Sequence, residues 1–358
     1  MDTHSGGQTA LTSSARPEVT VLRGGASTTF LLDTGFRRSA LGPQAQALVD
    51  AAPADPFVLA GARVEADFDA WVLPQAPGVL GAEVLGLLPL SIDASAGRFT
   101  VARTFEPASS GDAVLHRHAL AACDDPGVAW TVEAPVEGRL VTWLLDTGAE
   151  YSVLRSSLAD ALSPPRAQLS GVVLQTAFGG VVRARAQRVG SIALGASGAA
   201  RQVAVLSGPA LDAELDRQSA WLTRAAGTAV TVDGLLGWDV LREGTVAWRG
   251  PRSGPVSALA FSPYPASPWP RRLVGVGVAL APEVEGLRVV SIYTPSPAAD
   301  AGLAVGDLLV SVDGQPAAGA PSPLAAPGAM VTLQLRRGDE MLERTVPVAD
   351  LLPDAPAQ

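Results

Sequence analysis

The sequence has a single cysteine, Cys123, so it cannot form an intrachain disulfide, and the fold must be stabilised by packing. Charged residues are also few, at 17% of the chain, and the net charge is −9, from 26 basic and 35 acidic side chains. Arginines are scattered apart from short pairs such as Arg37-Arg38. These features argue against nucleic acid as a partner, because phosphate binding needs clustered cations.

Long uninterrupted apolar runs are missing as well. The longest uncharged stretches, 253–270 and 314–335, contain repeated prolines, which a membrane-spanning helix does not tolerate in such number. Residues 1–14 lack the basic segment and apolar run of a signal peptide, so we expect a disordered N-terminus. The location stays open, with the cytoplasm as the default.

The chain is rich in turn-forming residues, with 37 glycines and 29 prolines among 358 residues. This composition favours a mainly β globular protein, and the length allows two or three domains. We predict short strands and two brief helices around the turns. The predicted strands are 18–22, 27–32, 57–59, 63–68, 71–73, 128–136 and 139–145, and the predicted helices are 44–50 and 156–162.

One pattern occurs twice. Leu-Leu-Asp-Thr-Gly stands at 31–35 and again at 144–148, each time after an apolar strand, and the two Asp are 146 − 33 = 113 residues apart. A Gly-(Val/Leu)-Leu-Gly stretch follows each copy, at 78–81 and 234–237. A repeat of this length predicts two lobes of like fold that bring Asp33 and Asp146 face to face. Two apposed carboxylates sharing one proton can act as base and acid together.

The later part of the chain follows a different plan. The second lobe is longer than the first, partly because of a predicted β-hairpin at 172–183 with a Phe-Gly-Gly tip. Six prolines in 251–270 predict a stiff linker. Beyond it we predict strands at 274–278, 287–292, 330–335 and 341–348, and a short helix that begins with a Ser296 cap and closes at Gly302.

The Asp-Thr-Gly repeats and the Gly-Leu-Leu-Gly stretch resemble the aspartic peptidases, especially the retropepsin-like kind. The segments 275–278, 296–303 and 306–307 resemble a PDZ domain of the bacterial protease-associated type. The resemblance implies a mainly β fold, a two-lobed acid-protease-like β-barrel pseudo-dimer followed by a PDZ-like α+β domain. The expected boundaries are 15–105 for the first lobe, 106–250 for the second lobe with its flap hairpin, 251–270 for the linker, 271–350 for the PDZ domain and 351–358 for a tail.

The resemblance also implies functional residues. Asp33 and Asp146 would form the catalytic dyad and activate water to hydrolyse a peptide bond. Their turns would be supported by Thr34, Gly35, Thr147 and Gly148, in which the threonines hydrogen-bond between lobes and the glycines allow close approach. A flap over the substrate would be formed by Ala177, Phe178, Gly179 and Gly180. The PDZ domain would bind an extended peptide or a protein C-terminus at Gly275, Val276, Gly277 and Val278.

These features predict an aspartic-type endopeptidase acting on polypeptides, with no cofactor and no metal. Three alternatives remain at this stage. The enzyme can work as a monomer, or the second lobe can complete its dyad across a homodimer, or the fold can serve as a non-catalytic peptide-binding scaffold. Beside Asp33, the bulky Phe36 and the cations Arg37 and Arg38 can either narrow the cleft or lower the pKa of the carboxylate.

Overall fold

The computed structural model describes residues 7–13, 16–64, 68, 78–121, 126–162, 167–175, 180–196, 198–251, 256–269, 273–318, 327–352 and 354. The fold is mainly β, as predicted. The chain separates into two compact units. The first unit comprises 1–154, 190–203 and 214–269, and the second comprises 155–189, 204–213 and 270–358. Among the described residues, no helix has the length and apolar character needed to cross a membrane.

Residues 7–101 form the elements β1 (Gly7–Ser13), β2 (Glu18–Arg23), β3 (Ala26–Leu32), α1 (Pro43–Ala51), β4 (Phe57–Leu59), β5 (Ala62–Val64), β6 (Gly78–Leu80), α2 (Ala82–Leu85), β7 (Leu90–Asp93) and β8 (Arg98–Val101). Helix α1 confirms the helix predicted at 44–50. It begins at Pro43, whose missing N–H costs nothing in the first turn. Part of the strand predicted at 63–68, and all of that at 71–73, lie outside the described residues.

The elements of the next part are β9 (Ala113–Leu120), β10 (Gly127–Glu133), β11 (Thr142–Leu145), β12 (Ser152–Leu154), α3 (Ser156–Asp160), β13 (Gln168–Gln175), β14 (Val181–Ala193), β15 (Ala199–Ser207), α4 (Pro209–Ala226), β16 (Gly234–Leu236), α5 (Trp238–Leu241), β17 (Gly244–Arg249) and β18 (Ala258–Pro263). The predicted hairpin at 172–183 is confirmed in its arms, because β13 and β14 pair antiparallel with Val173 opposite Arg183. Its tip, 176–179, lies outside the described residues.

The sequence repeat corresponds to a structural repeat within the first unit. Strand β3 lies parallel to β6, with Phe30 opposite Gly78, and β11 lies parallel to β16, with Trp143 opposite Gly234. A Cβ on Gly78 would lie 2.4 Å from the Phe30 ring, and a Cβ on Gly234 would lie 2.6 Å from the Trp143 ring. Each strand pair therefore needs its glycine so that a large aromatic ring can pack across it.

The disordered N-terminus predicted at 1–14 is wrong for 7–13, because β1 pairs with β2 and β8. Two further predictions of chain organisation are corrected by the structure. The linker predicted at 251–270 is wrong for 258–263, because β18 pairs with β17 and β9 and the apolar side chains from Ala258 to Phe261 are buried. Hydrophobic burial in a strand outweighs the nearby prolines. The second error is the omission of α4, an 18-residue helix that accounts for much of the extra length of the second lobe. The predicted domain boundaries stay predictions, although 155–189 and 204–213 group with the C-terminal residues.

The C-terminal domain, 273–318 and 327–352, has its own sheet and core. Its elements are β19 (Val274–Gly275), β20 (Val278–Glu283), β21 (Gly286–Ile292), α6 (Pro297–Asp300), β22 (Leu308–Val312), β23 (Gln315–Pro316), β24 (Met330–Arg337), β25 (Glu340–Pro347) and β26 (Ala349–Asp350). The main sheet has the strand order β20-β21-β22-β24-β25. The predicted cap is confirmed, because Oγ of Ser296 accepts a hydrogen bond from the N–H of Ala299 over 3.2 Å.

A buried carboxylate in the C-terminal domain pairs with an arginine of β24. The side chain of Asp307 is only 1% exposed and accepts two hydrogen bonds from Arg337, over 2.7 and 2.8 Å. Arg337 also donates to the carbonyl oxygen of Gly302 over 2.9 Å. The Arg337 guanidinium lowers the pKa of Asp307 below its ordinary value. Two parallel charge-assisted bonds therefore keep this carboxylate ionised and in place.

We expect Arg337→Met to lower the thermal stability of the C-terminal domain clearly more than Arg336→Met. Both side chains lie on β24 and are 42% exposed, but Arg336 pairs with the exposed Glu285, whereas Arg337 pairs with the buried Asp307. The lowered pKa of Asp307 stabilises the fold above pH 3.8, and this contribution is lost as pH falls. Calorimetry should show the difference between the variants at pH 7 and its decrease below pH 3.8. Equal melting temperatures at pH 7 would contradict the argument.

Candidate active site

The two Asp-Thr-Gly turns meet in the first unit and are joined through their threonines. The N–H of Thr34 donates to Oγ1 of Thr147 over 3.0 Å, and the N–H of Thr147 donates to Oγ1 of Thr34 over 3.0 Å. The hydroxyl of Thr34 donates to the carbonyl of Leu145 over 2.9 Å, and that of Thr147 donates to the carbonyl of Leu32 over 2.6 Å. Both threonines are buried, so these four bonds hold the turns in one arrangement.

The carboxyl groups pack against the glycine of the opposite turn. A Cβ placed on Gly35 would lie 2.3 Å from Cγ of Asp146, and a Cβ placed on Gly148 would lie 2.1 Å from Oδ2 of Asp33. Any side chain at either glycine would collide with a carboxyl group. The glycines of the repeated motif therefore make room for the close approach of the two acids.

Backbone N–H groups orient both carboxyl groups. Oδ1 of Asp33 accepts hydrogen bonds from the N–H of Gly35 over 2.9 Å and of Phe36 over 3.1 Å. Oδ1 of Asp146 accepts one from the N–H of Ala149 over 2.9 Å. Each acid packs against the glycine of the opposite turn, and the two lie close enough for the charge of Asp33 to act on Asp146. Two carboxyl groups held this close do not both ionise readily, so the pair favours one shared proton.

The pKa of each carboxyl group is raised above its ordinary value. Desolvation is the largest cause at each residue. The charge of Asp33 adds to the increase at Asp146, whose pKa lies well above the ordinary 3.8. Hydrogen bonds to Asp33 oppose the increase there but do not cancel it. Both residues nevertheless keep partial exposure, which leaves access for a water molecule. The pair titrates as a unit and can hold one shared proton above pH 3.8.

After each turn, a serine is hydrogen-bonded to an acid, although the motifs in the sequence did not mark these residues as functional. In the first lobe, Oγ of Ser39 accepts from the N–H of Gly81 over 2.9 Å, and the N–H of Ser39 donates to Oε1 of Glu83. Burial raises the pKa of Glu83.

The second lobe repeats this arrangement with an aspartate. Oγ of Ser152 donates to Oδ1 of Asp239 over 2.7 Å and accepts from the N–H of Gly237 over 2.9 Å. The signal was present in the sequence. Each serine stands six residues after its Asp, and each acid stands five residues after the first glycine of the later stretch.

The cation beside Asp33 is bound to helix α4. Nη2 of Arg37 donates to Oε1 of Gln218 over 2.7 Å, and the guanidinium lies 4.2 Å from the ring centroid of Trp221. A surface cleft of about 540 Å³ lies beside these three side chains and includes neither dyad acid. The net pKa of Asp33 is raised by burial, so any lowering by Arg37 and Arg38 does not prevail.

The predicted flap residues lie largely beyond the described part of the chain. Ala177, Phe178 and Gly179 are outside it, and Gly180 is exposed just before β14. Their assignment as a flap stays a prediction.

The predicted peptide-binding loop is fully described. Val274 and Gly275 form β19, and Val278 begins β20. Gly277 has φ +91°, and a Cβ there would lie 2.2 Å from Cβ of Ser296. This loop turn therefore requires glycine. Among the described strands, β20 pairs with β21 alone, so one edge of β20 remains open to an added strand.

No metal-ligand cluster is found within the described ranges, where no three His, Cys, Asp or Glu side chains are arranged to hold an ion. His116 and His118 lie on β9, and Nε2 of His118 is 2.9 Å from Oγ1 of Thr131. Burial, together with the charge of His116, lowers the pKa of His118 and favours its neutral ring. Cys123 lies outside the described residues.

We expect Thr34→Val and Thr147→Val each to lower the free energy of unfolding by about 1–3 kcal/mol, the cost of leaving buried hydrogen-bonding groups unpaired. Valine preserves the shape but removes the hydroxyl that accepts from the opposite turn. Thr20→Val, at a half-exposed position on β2, is the matched control and should change stability by less than half as much. Urea unfolding measures the difference. Losses no larger than that of the control would refute a coupling of the two turns.

We expect Asp146→Asn to stabilise the protein at neutral pH. The folded pKa of Asp146 is raised, so its contribution to stability is fully present below pH 3.8 and is lost as pH rises through the folded pKa. Asparagine carries no charge and avoids this loss. The melting temperature of the variant should therefore exceed that of the wild type at pH 7, and the gap should close towards pH 3. A lower melting temperature of the variant at pH 7 would contradict the argument that ionisation of Asp146 destabilises the folded protein.

Comparisons with known proteins agree with the resemblance noted in the sequence. Residues 132–240 match the family described as Aspartyl protease, a range that includes Asp146 but not Asp33. Residues 288–323 match the family described as PDZ domain. A search of curated proteins found no match.

Solved structures give only weak likenesses. A retropepsin-like aspartic protease from Rickettsia conorii is 15% identical, covering 41% of this chain and 89% of that one, with a TM-score of 0.23. The HtrA-type protease AlgW with decapeptide is 15% identical, covering 73% and 85%, with a TM-score of 0.20. An aminopeptidase N family protein from Idiomarina loihiensis is 26% identical with a TM-score of 0.21. Its match covers 22% of this chain, which spans only 14% of that protein.

TM-scores of this size support no fold assignment, so the two family matches carry the conclusion. The chain combines a segment similar to the aspartyl protease family, which contains Asp146, with a C-terminal segment similar to PDZ domains, as the sequence resemblance predicted.

Proposed function

We propose that the protein is an aspartic-type endopeptidase in which Asp33 and Asp146 of one chain form the catalytic dyad. The observation that carries the proposal is the packing of each carboxyl group against the glycine of the opposite turn, held in place by the crossed bonds of Thr34 and Thr147. Two acids that share a proton supply a base and an acid at the same moment. A buried pair of this kind costs stability, which is typical of a functional site.

The proposed reaction is hydrolysis of a peptide bond by water. The ionised carboxyl of the dyad accepts a proton from the water, whose oxygen forms a bond to the carbonyl carbon. The protonated carboxyl gives its proton to the carbonyl oxygen, so a neutral tetrahedral diol forms. When the C–N bond breaks, its electron pair stays on nitrogen. The carboxyl that took the proton from water gives it to this nitrogen, and a hydroxyl of the diol gives its proton to the other carboxylate, which regenerates the starting state.

A monomer is the form best supported by this site. Both acids and both supporting threonines come from the same chain and the same compact unit. A dyad completed across a homodimer would leave Asp33 without a catalytic purpose. The proposed lobes, 15–105 and 106–250, each supply one acid.

The PDZ domain is proposed to bind extended peptides or protein C-termini and to deliver them to the peptidase. The open edge of β20 supports this proposal, because an added strand can take its backbone hydrogen bonds there. The residues from Gly275 to Val278 would meet the terminal carboxylate. Gly277 keeps the required turn by packing on Ser296.

The test is cleavage of a fluorogenic peptide library and of an unfolded protein from pH 3 to pH 8. We expect Asp33→Asn and Asp146→Asn each to lower kcat/KM at least about 100-fold, since each removes half of the acid–base pair. Asp50→Asn is the matched control, because Asp50 is an exposed acid at the end of α1. The pH profile should be bell-shaped, and its alkaline limb should lie above pH 3.8 because the dyad pKa is raised.

Other outcomes identify the alternatives. Full activity of Asp33→Asn combined with a dimer in sedimentation would replace the single-chain dyad by a dyad across a homodimer. No cleavage by the wild type at any pH, together with saturable peptide binding, would replace the enzyme by a peptide-binding scaffold.

A further inference from the structure

The arms of the β13–β14 hairpin contact the PDZ domain within the second unit. The N–H of Ser170 donates to the carbonyl of Thr294 over 2.8 Å, and the N–H of Thr294 donates to the carbonyl of Ser170 over 3.0 Å. This pair of bonds makes an antiparallel bridge between β13 and the residues that follow β21. The hairpin is therefore hydrogen-bonded to the PDZ domain through a single antiparallel bridge.

Side chains strengthen this contact. Oγ of Ser291 donates to the carbonyl of Gly171 over 2.7 Å, and Nη1 of Arg183 donates to Oγ of Ser291 over 3.2 Å. A Cβ on Gly171 would lie 2.5 Å from the carbonyl oxygen of Ile292, so this close approach requires glycine. Both arms of the hairpin thus contact the end of β21.

A second contact involves a buried arginine of β14. The side chain of Arg188 is 3% exposed, and its Nη2 lies 2.8 Å from Oδ1 of Asp350. Its Nε donates to the carbonyl of Leu352 over 3.1 Å. A guanidinium removed from water in this way depends on its acceptors, so β14 and the chain around Asp350 are held to each other.

Both contacts lead to the proposed peptide-binding loop, 274–278. Asp350 lies in β26, opposite Val274 of β19. At the other end of the loop, the N–H of Tyr293 donates to the carbonyl of Gly277 over 2.8 Å, and Tyr293 directly precedes Thr294. The hairpin arms therefore contact the two segments that flank the loop, one at each end.

We propose that peptide binding at the loop 274–278 is thermodynamically linked to the conformation of the β13–β14 hairpin, through Arg188 with Asp350 and through Ser170 with Thr294. The proposal rests on the PDZ part of the proposed function and assigns a regulatory partner to it. A bound peptide orders the loop and β26, which stabilises the contacts of the hairpin arms. By reciprocity, loss of the hairpin contacts weakens peptide binding by the same factor.

The first test measures peptide affinity in the full-length protein. The probe is the tightest binder from a panel of ten-residue peptides with free C-terminal carboxylates ending in Val, Leu, Phe or Ala, and its amidated copy tests the need for the carboxylate. We expect Arg188→Gln and Asp350→Asn each to raise Kd about fivefold or more. The Kd of the double variant should not exceed that of the single variant that binds the peptide less tightly, because both substitutions remove the same interaction.

Arg185→Gln is the matched control. Arg185 lies on the same strand but pairs with Asp160, over 3.1 Å, and it is one-third exposed. Its substitution should leave Kd unchanged. An unchanged Kd in folded Arg188→Gln and Asp350→Asn would overturn the proposal.

A second test needs no variant: it measures amide hydrogen exchange of the wild-type protein with and without the probe peptide. The probe peptide should slow exchange of the amides in 181–189 several-fold and leave those of β7 and β8 unchanged. No change in 181–189 at saturating peptide would overturn the linkage, and so would the absence of binding by any peptide of the panel.

Cleavage measured on the same preparations separates the two proposals. Cleavage that depends on Asp33 and Asp146, without any linkage, would overturn only this inference. Linkage without cleavage would support this inference and overturn the peptidase.

Discussion

The crossed hydrogen bonds of Thr34 and Thr147 are the constraint on which the rest of the active site depends. The N–H of each threonine finds its acceptor in the opposite turn, and the hydroxyl finds its own acceptor there as well. Neither turn can satisfy its buried polar groups alone, because unpaired groups in a dry environment are costly. The two lobes consequently form one site, and the positions of Asp33 and Asp146 follow from that requirement.

The same close approach accounts for the proposed chemistry. Gly35 and Gly148 leave space for the opposite carboxyl group, and backbone N–H groups hold both acids in orientation. Burial then raises the pKa of both acids, and the charge of Asp33 raises that of Asp146 further, so the pair retains a proton where ordinary Asp side chains lose it. The arrangement destabilises the ionised protein and at the same time supplies an acid beside a base. This combination of cost and reactivity is a physical reason to place the activity here.

The PDZ domain adds a second level of organisation. Its compact unit includes the hairpin arms, which contact the residues after β21 through Ser170 and the chain around Asp350 through Arg188. A ligand on the loop between β19 and β20 would therefore act on segments that the hairpin also contacts. Strand pairing and a buried ion pair are suited to such linkage, because both lose most of their strength when the geometry changes.

The sequence was enough to predict the repeated turns, the two acids, the hairpin arms and the capped helix at Ser296, because each follows from short-range patterns of apolar, turn and capping residues. It did not determine that β18 is a buried strand or that α4 binds Arg37 through Trp221, since those outcomes depend on partners distant in the chain. The contacts of Arg188 likewise depend on distant partners, whereas Glu83 and Asp239 stand at matching positions of the repeat and could have been found from it. A buried polar group is stabilised only by the donor or acceptor that folding brings to it, and local sequence carries no record of that partner.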